Sequence, residues 1–192
     1  MNVPSPDTPC AQRVAALVGR RIDAPDARTP RFPLQRLAAV TRDIAQILRR
    51  DGIELLISSA ACGADLAAIE AAISLGVRCG IVLPFARARF RATSVVDRPG
   101  EWGEAFDRAV TYAQGNGFVR ELAVSGDDDA AYARANEAIV DEARRAAAPQ
   151  PPIAIVVWEG RSRGDDDLTA HFLQLAQRAG FEQRVVQTLP RE

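Results

Sequence analysis

The chain contains no lysine: all 24 of its basic side chains are arginine. That absence excludes a Schiff-base lysine and the lysine of a P-loop. Histidine is nearly missing too, with His171 alone, and the three cysteines, Cys10, Cys62 and Cys79, form neither a metal-ligand spacing nor an even disulfide set. A zinc site is not expected, and no metal or cofactor is implied. No apolar run approaches the roughly 20 residues that a membrane span needs. The first nine residues are polar and proline-rich, without the apolar centre of a secretion signal. The expectation is a cytoplasmic, reduced protein with no membrane partner. Net charge is −1 and aromatic residues are 6%, which argues against a general nucleic-acid binder, since such proteins neutralise phosphates and stack on bases. A local arginine cluster could still hold a small anion. A GC-rich coding sequence accounts for arginine in place of lysine and for abundant alanine, so composition alone makes no single arginine functional.

What is present is ordinary globular material, long enough for one domain over residues 13–190 behind a flexible segment at 1–12. Short apolar runs bounded by Gly or Pro lie at 13–18, 53–58, 78–83, 118–124, 153–158 and 183–188, and their β-branched content favours strands. Helical patterns lie between them, at 34–50, 65–75, 102–113, 130–147 and 168–179. In the first, Leu37, Val40, Ile44, Ile47 and Leu48 make an apolar stripe. Asp51-Gly52 and Leu75-Gly76 read as helix exits. The stretch 146–152 could be a hinge but reads better as a turn, because one strand and one helix beyond it cannot form a separate core. Alternation of strand and helix predicts an α/β fold: a Rossmann-like, doubly wound, mostly parallel sheet of about six strands with helices on both faces. Ligands of such sheets sit beyond the carboxyl ends of the strands.

The segments after the strands therefore hold the candidate residues. Ser58 and Ser59, with Ala60, Ala61, Gly63 and Ala64, form a small-residue turn that runs into a helix, which is either tight packing or an anion site at a helix N-terminus. Asp65 either favours the helix dipole or bonds a ligand hydroxyl. Glu70 lies five residues further on. Arg87, Arg89, Arg91 and Arg98 crowd the exit of the third strand, and Arg20 and Arg21 that of the first; they are a positive pocket or an arginine-rich surface. Phe85 and Phe90 could stack on a base, or Phe85 could be core. Asp165-Asp166-Asp167 supplies a helix N-cap or, less simply, a Mg²⁺ site. His171 reads as a solvated helix residue, Cys62 as a small loop residue, and Asp127-Asp128-Asp129 as a loop leading into a helix.

Several of these stretches together resemble a known group. They are residues 14–23 (VAALVGRRID) with 31–33 (RFP), SSAACGAD at 58–65, VLPF at 82–85, Phe90 with Ser94-Val95, and then Trp102. The chain resembles the SLOG superfamily, Rossmann-like domains related to the Smf/DprA and Lonely-guy proteins, and within it the signalling and conflict-system type. The likeness spans residues 14–186. It implies a nucleotide or nucleotide-derived ligand at the strand carboxyl edge. Gly19 and Asp23 match the first loop; Ser59, Ala60, Gly63 and Asp65 the second; Pro84, Phe85, Phe90 and Ser94 the third; Trp158, Gly160 and Thr169 the last. Backbone amides of residues 60–64 and Arg20 with Arg21 would hold phosphate, and Ser59 and Asp65 would contact ribose.

The chain departs from the pattern at Arg20, where many relatives carry His. It departs again at Asp166-Asp167-Leu168-Thr169, where relatives end in Gly-Gly-Thr, and at Phe172, where the catalytic Lonely-guy proteins carry a glutamate. Binding or sensing is therefore the leading expectation. Nucleotide N-glycosidase chemistry through Asp65, Glu70 or Asp167 is the alternative, and single-stranded DNA binding is the least supported. Relatives that dimerise make a homo-oligomer an expectation.

Overall fold

Val14, Ala16 and Val18 point to one side of the first strand and Ala15 and Leu17 to the other, and all five are buried. A strand buried on both faces belongs in the middle of a covered sheet. The computed structural model, which describes residues 12–123, 128–164 and 166–190, places it there. The elements are β1 Val14–Gly19, α1 Leu37–Arg50 after a 3₁₀ turn at Leu34–Arg36, β2 Leu55–Ser58, α2 Ala64–Ser74, β3 Arg78–Leu83, α3 Arg87–Phe90, α4 Trp102–Asn116, β4 Gly117–Glu121, α5 Asp128–Ala147, β5 Ile153–Trp158, α6 Leu168–Arg178 and β6 Glu182–Gln187. The six strands form one parallel sheet in the order β4-β3-β2-β1-β5-β6. This is the Rossmann-like α/β architecture that the alternation predicts.

One face is covered by α1, α2 and α4 and the other by α5 and α6. Helix α1 lays Val40, Ile44, Ile47 and Leu48 on the sheet, the predicted stripe. Helix α2 is wedged between α1 and α4, and its many alanines let it pack closely on both. Helix α5 is 20 residues long because it returns from the β4 edge across β3, β2 and β1. The winding direction reverses between β1 and β5. The loops after these two strands diverge there and open a crevice at the carboxyl edge.

Boundaries differ from the sequence reading in a few places. The segment after β3 folds into α3 and one turn of π-helix at Arg91–Val95, where a loop is expected. Helix α5 begins at Asp128, so Asp128 and Asp129 belong to the helix, while Asp127 lies outside the described residues. Residues 53–54 precede the β2 ladder, tied by Ile53 N–H to Leu48 O and Glu54 N–H to Arg13 O. The stretch 146–152 is a turn, with Gln150 N–H donating to Ala147 O at 3.0 Å. Of the flexible segment expected at 1–12, residues 1–11, Cys10 among them, lie outside the described residues, as does Asp165.

Candidate functional site

The carboxyl edge holds a cavity of about 500 Å³, walled by the loops after β1, β2 and β5 and by α5. Its floor is the β2–α2 turn. Ala60 takes a left-handed backbone, φ 64°, which costs an L-residue about 1–3 kcal/mol and is held there by the surrounding packing. Gly63 has φ 97°, and a Cβ there would stand 2.7 Å from Arg20 O and Ile22 N, so glycine lets the β1 loop cross directly over the start of α2.

The amides at the start of α2 are taken up by three separate acceptors. Ala64 N–H donates to Arg20 O at 3.0 Å, Cys62 N–H to Ser94 O at 3.0 Å, and Ala61 N–H to the Asp65 carboxylate at 3.3 Å. The phosphate cradle expected from the amides of residues 60–64 is thus largely spent on the protein's own acceptors.

Asp65 stands on the cavity wall and is 3% exposed. Its Oδ2 accepts from Ser59 Oγ at 2.5 Å. Its Oδ1 is buried and lacks a hydrogen bond of good geometry: the Gly19 amide and the Ser58 hydroxyl lie near the carboxylate and favour its charged form, but neither meets it squarely. Burial pushes the Asp65 carboxyl up to about 6, against hydrogen bonds from Ser59, the Ala61 and Gly19 amides and Ser58 that favour the charged form.

The second feature is a charged corner between the β1 and β5 loops. Arg20 is 5% exposed and makes five hydrogen bonds through its guanidinium. Nε and Nη2 reach Glu159 at 2.7 and 3.1 Å, Nη1 and Nη2 reach Asp167 at 2.6 and 2.8 Å, and Nη2 also reaches Arg161 O at 2.8 Å. Trp158 covers it, with its ring centroid 5.8 Å from the guanidinium carbon. Burial opposes the charge of Arg20, but the bonds to Asp167 and Glu159 outweigh it and raise its pKa. Asp167 caps α6, accepting from the Thr169 and Ala170 amides at 3.0 and 3.2 Å. Burial would raise its carboxyl, but Arg20 and the amides of Arg163 and Ala170 hold it down at about 2. Both oxygens of Asp167 are committed in this way, as the N-cap reading expects; Asp165 of the same triplet lies outside the described residues. Among the described residues no cluster of three His, Cys, Asp or Glu stands ready for a metal.

Of the other expected residues, Gly19, Arg21, Asp23, Phe90, Ser94 and Thr169 line the cavity. Residues 24–31 of the loop after β1 form a flap along the cavity, which Asp23 shapes by accepting from the amides of Arg31 and Phe32. Arg21 is spent on Cys62 and Asp97. Ser58, Ala60, Gly63, Ala64, Pro84, Phe85, Arg89, Trp158 and Gly160 are not on its wall. Phe85 is core, packed edge-on to Tyr132 at 5.7 Å with Arg89 over its face at 4.3 Å. Arg87 and Arg91 turn away to Glu121 and Asp107, because α3 and the π turn rotate them outward; Arg98 alone of that cluster reaches the cavity. Glu70 lies on the far side of α2, paired with Arg108, which removes it as a catalytic candidate. Cys62 is buried, and burial pushes its thiol up against the pull of Arg21. His171 is half-buried, its Nδ1 3.5 Å from Asn136 Nδ2.

The sequence reading missed Tyr132 and Asn136 on α5 and Arg28, Arg31 and Arg163 on the flanking loops, all on the cavity wall. Asn136 is 6% exposed and donates to Leu168 O at 2.8 Å. A polar residue at a helix position facing the sheet is the signal that could have flagged it.

The fold resembles that of DNA processing protein A. The match to this protein, DprA from Streptococcus pneumoniae, has a TM-score of 0.55 at 17% identity, covering 94% of this chain and 51% of that one. The chain thus spans about half the length of the DprA chain. The molybdenum cofactor binding protein of the phototrophic bacterium Rippkaea orientalis matches at 14% identity over 91% of this chain and 88% of that one, with a TM-score of 0.33 that carries no argument. No family model and no curated protein sequence matches the chain. The likeness to DprA shows a shared Rossmann-like fold. Among the described residues no helix is long and apolar enough to cross a membrane.

Proposed function

We propose that the chain is a binding or sensing module for a nucleotide or nucleotide-derived small molecule, of the SLOG type found in bacterial signalling. The observation that carries this reading is Asp65 on the cavity wall, a buried carboxylate whose Oδ1 lacks a hydrogen bond of good geometry. A buried carboxylate oxygen without a well-formed hydrogen bond is costly, and a ligand hydroxyl such as that of ribose would relieve the cost. The volume suits one nucleoside-sized molecule. The DprA-like fold is consistent with a ligand at this edge of the sheet. Cytoplasmic residence and a homo-oligomer belong to the same reading, and light scattering tests the latter.

The test is thermal unfolding against nucleotides, dinucleotides, cyclic dinucleotides and ADP-ribose derivatives. A ligand at about 100 times its dissociation constant adds roughly 2.7 kcal/mol and raises the midpoint by several degrees. Asp65→Ala is expected to weaken that ligand about tenfold or more, the worth of a hydrogen bond to a charged group. Unchanged affinity in Asp65→Ala would remove the assignment.

A second reading, hydrolysis of a nucleotide N-glycosidic bond, is favoured by the same residue. A carboxyl that titrates at about 6 is matched to general acid or base work near neutrality. Base release that is lost in Asp65→Asn supports it; a ligand that binds without base release leaves the sensor. Single-stranded DNA binding has less support. Most arginines on the cavity are already ion-paired, and Phe85 and Phe90 are buried.

A further inference from the structure

We propose that Asp167 is a specificity-determining residue: its carboxylate fills the anion seat at the N-terminus of α6 and closes that seat to a ligand phosphate. This inference rests on the ligand-binding reading of the cavity and narrows the ligand class.

Two amides of the first turn of α6 donate to Asp167 Oδ1, at 3.0 and 3.2 Å. The amide of Arg163 donates to Oδ2 at 2.8 Å. The Arg20 guanidinium forks onto both oxygens at 2.6 and 2.8 Å. Helix amides, a loop amide and an arginine fork are the donor set that a phosphate dianion takes at a helix N-terminus. Here the chain supplies its own anion to that set. The seat adjoins the cavity, since Arg20, Arg163, Leu168 and Thr169 are on the cavity wall. Asp167 is only 1% exposed, so it is locked in place rather than offered to solvent.

The rest of the cavity is rich in acceptors. Asp65 Oδ1 lacks a hydrogen bond of good geometry. Asn136 makes both its hydrogen bonds through Nδ2, to Leu168 O and to His171 Nδ1, which leaves its carbonyl oxygen as an acceptor. Arg28, on the exposed flap, is a cavity arginine with no ion pair among the described residues. The arrangement selects a nucleoside-like ligand that carries hydroxyl and amine donors and presents no anion toward α6. Any phosphate on it lies toward Arg28.

The test uses inorganic phosphate on the wild-type chain, on Asp167→Gly and Asp167→Ser, and on Asp167→Gly combined with Arg20→Gln. Glycine and serine are both tolerated at an N-cap, and serine keeps a capping oxygen. Wild type is expected to show no phosphate-dependent rise in unfolding temperature over chloride at equal ionic strength. Both single variants are expected to bind phosphate about tenfold or more tightly than wild type. Arg20→Gln is expected to cancel the gain. A variant that folds only in phosphate gives the same answer. Equal phosphate affinity in wild type and variants, or folded variants with no gain, overturns the proposal.

Matched nucleosides and nucleoside 5′-monophosphates separate this proposal from the reading beneath it. If phosphate binds the variants but no nucleoside or nucleotide binds any protein, the seat stands and the nucleotide reading falls. If nucleosides bind wild type and phosphate distinguishes no variant, the reading stands and the seat falls.

Discussion

Asp65 and Asp167 are two carboxylates of one cavity region with opposite titration. Asp65 titrates at about 6 in the fold, against 3.8 for an unhindered Asp, so the folded chain holds its proton longer than the unfolded chain does. Its contribution is most favourable below about 3.8 and is lost as pH rises to about 6, a change of about 3 kcal/mol by linkage. Asp65→Asn should remove that slope, which urea titrations across pH 3.5–7 would read. Carbon NMR of the Asp65 carboxyl should find its midpoint near 6, and a midpoint near 4 would contradict the desolvation argument. Asp167, held at about 2, works the other way: its stabilisation is complete above about 3.8 and is lost as pH falls through about 2. Arg20→Met should destabilise by about 3 kcal/mol, because it takes the close cation from buried Asp167, which keeps only Arg163 at 3.8 Å, and leaves Glu159 to Arg31 alone. The arginines were the hardest residues to read from sequence. Arg20 stands 139 positions from Glu159 and 147 from Asp167, and nothing local to the GRR stretch shows that its charge is already matched.

The strands and long helices were legible because each carries its own period: the α1 stripe and the apolar runs at β1, β3 and β5 need no tertiary context to be recognised. The short α3 and the π turn after it were not legible, since four or five residues are too few for a period to show. The β2–α2 turn was readable as a site but not as a donor set, because two of its amides go to backbone distant in sequence, Arg20 O on the β1 loop and Ser94 O on the π turn, and a third to the Asp65 side chain. Gly63 is where those two segments meet. Gly63→Ala should cost at least about 1 kcal/mol, as its Cβ would press on backbone that cannot swing aside at a φ suited to glycine. The loss should appear in chemical denaturation and bring reduced protection of the Ala64 amide. Helix α5 supplied the least foreseeable wall of the cavity. Tyr132 and Asn136 reach it because the return path over the sheet carries them there, and that path is set by strand order, which single-sequence periodicity does not contain.

The order β4-β3-β2-β1-β5-β6 puts the first strand to be synthesised in the middle of the sheet, with one neighbour about 40 residues later and the other about 140. Contacts of such long sequence separation form late, since loop closure precedes their reward. On a ribosome, β1 to β4 can pair in turn while the far side of β1 stays open, and the corner around Arg20 waits for β5 and the start of α6. One amide reports the moment of completion: Arg20 N–H donates to Val157 O at 2.8 Å, a bond that exists only once β5 has docked. Pulse-labelled exchange should therefore protect Arg20 later than the amides of β2 and β3. The two ends of the same loop would then carry different clocks, and a nascent chain arrested before residue 153 should be a substrate for chaperones that recognise an open strand edge in the centre of an otherwise ordered half-sheet.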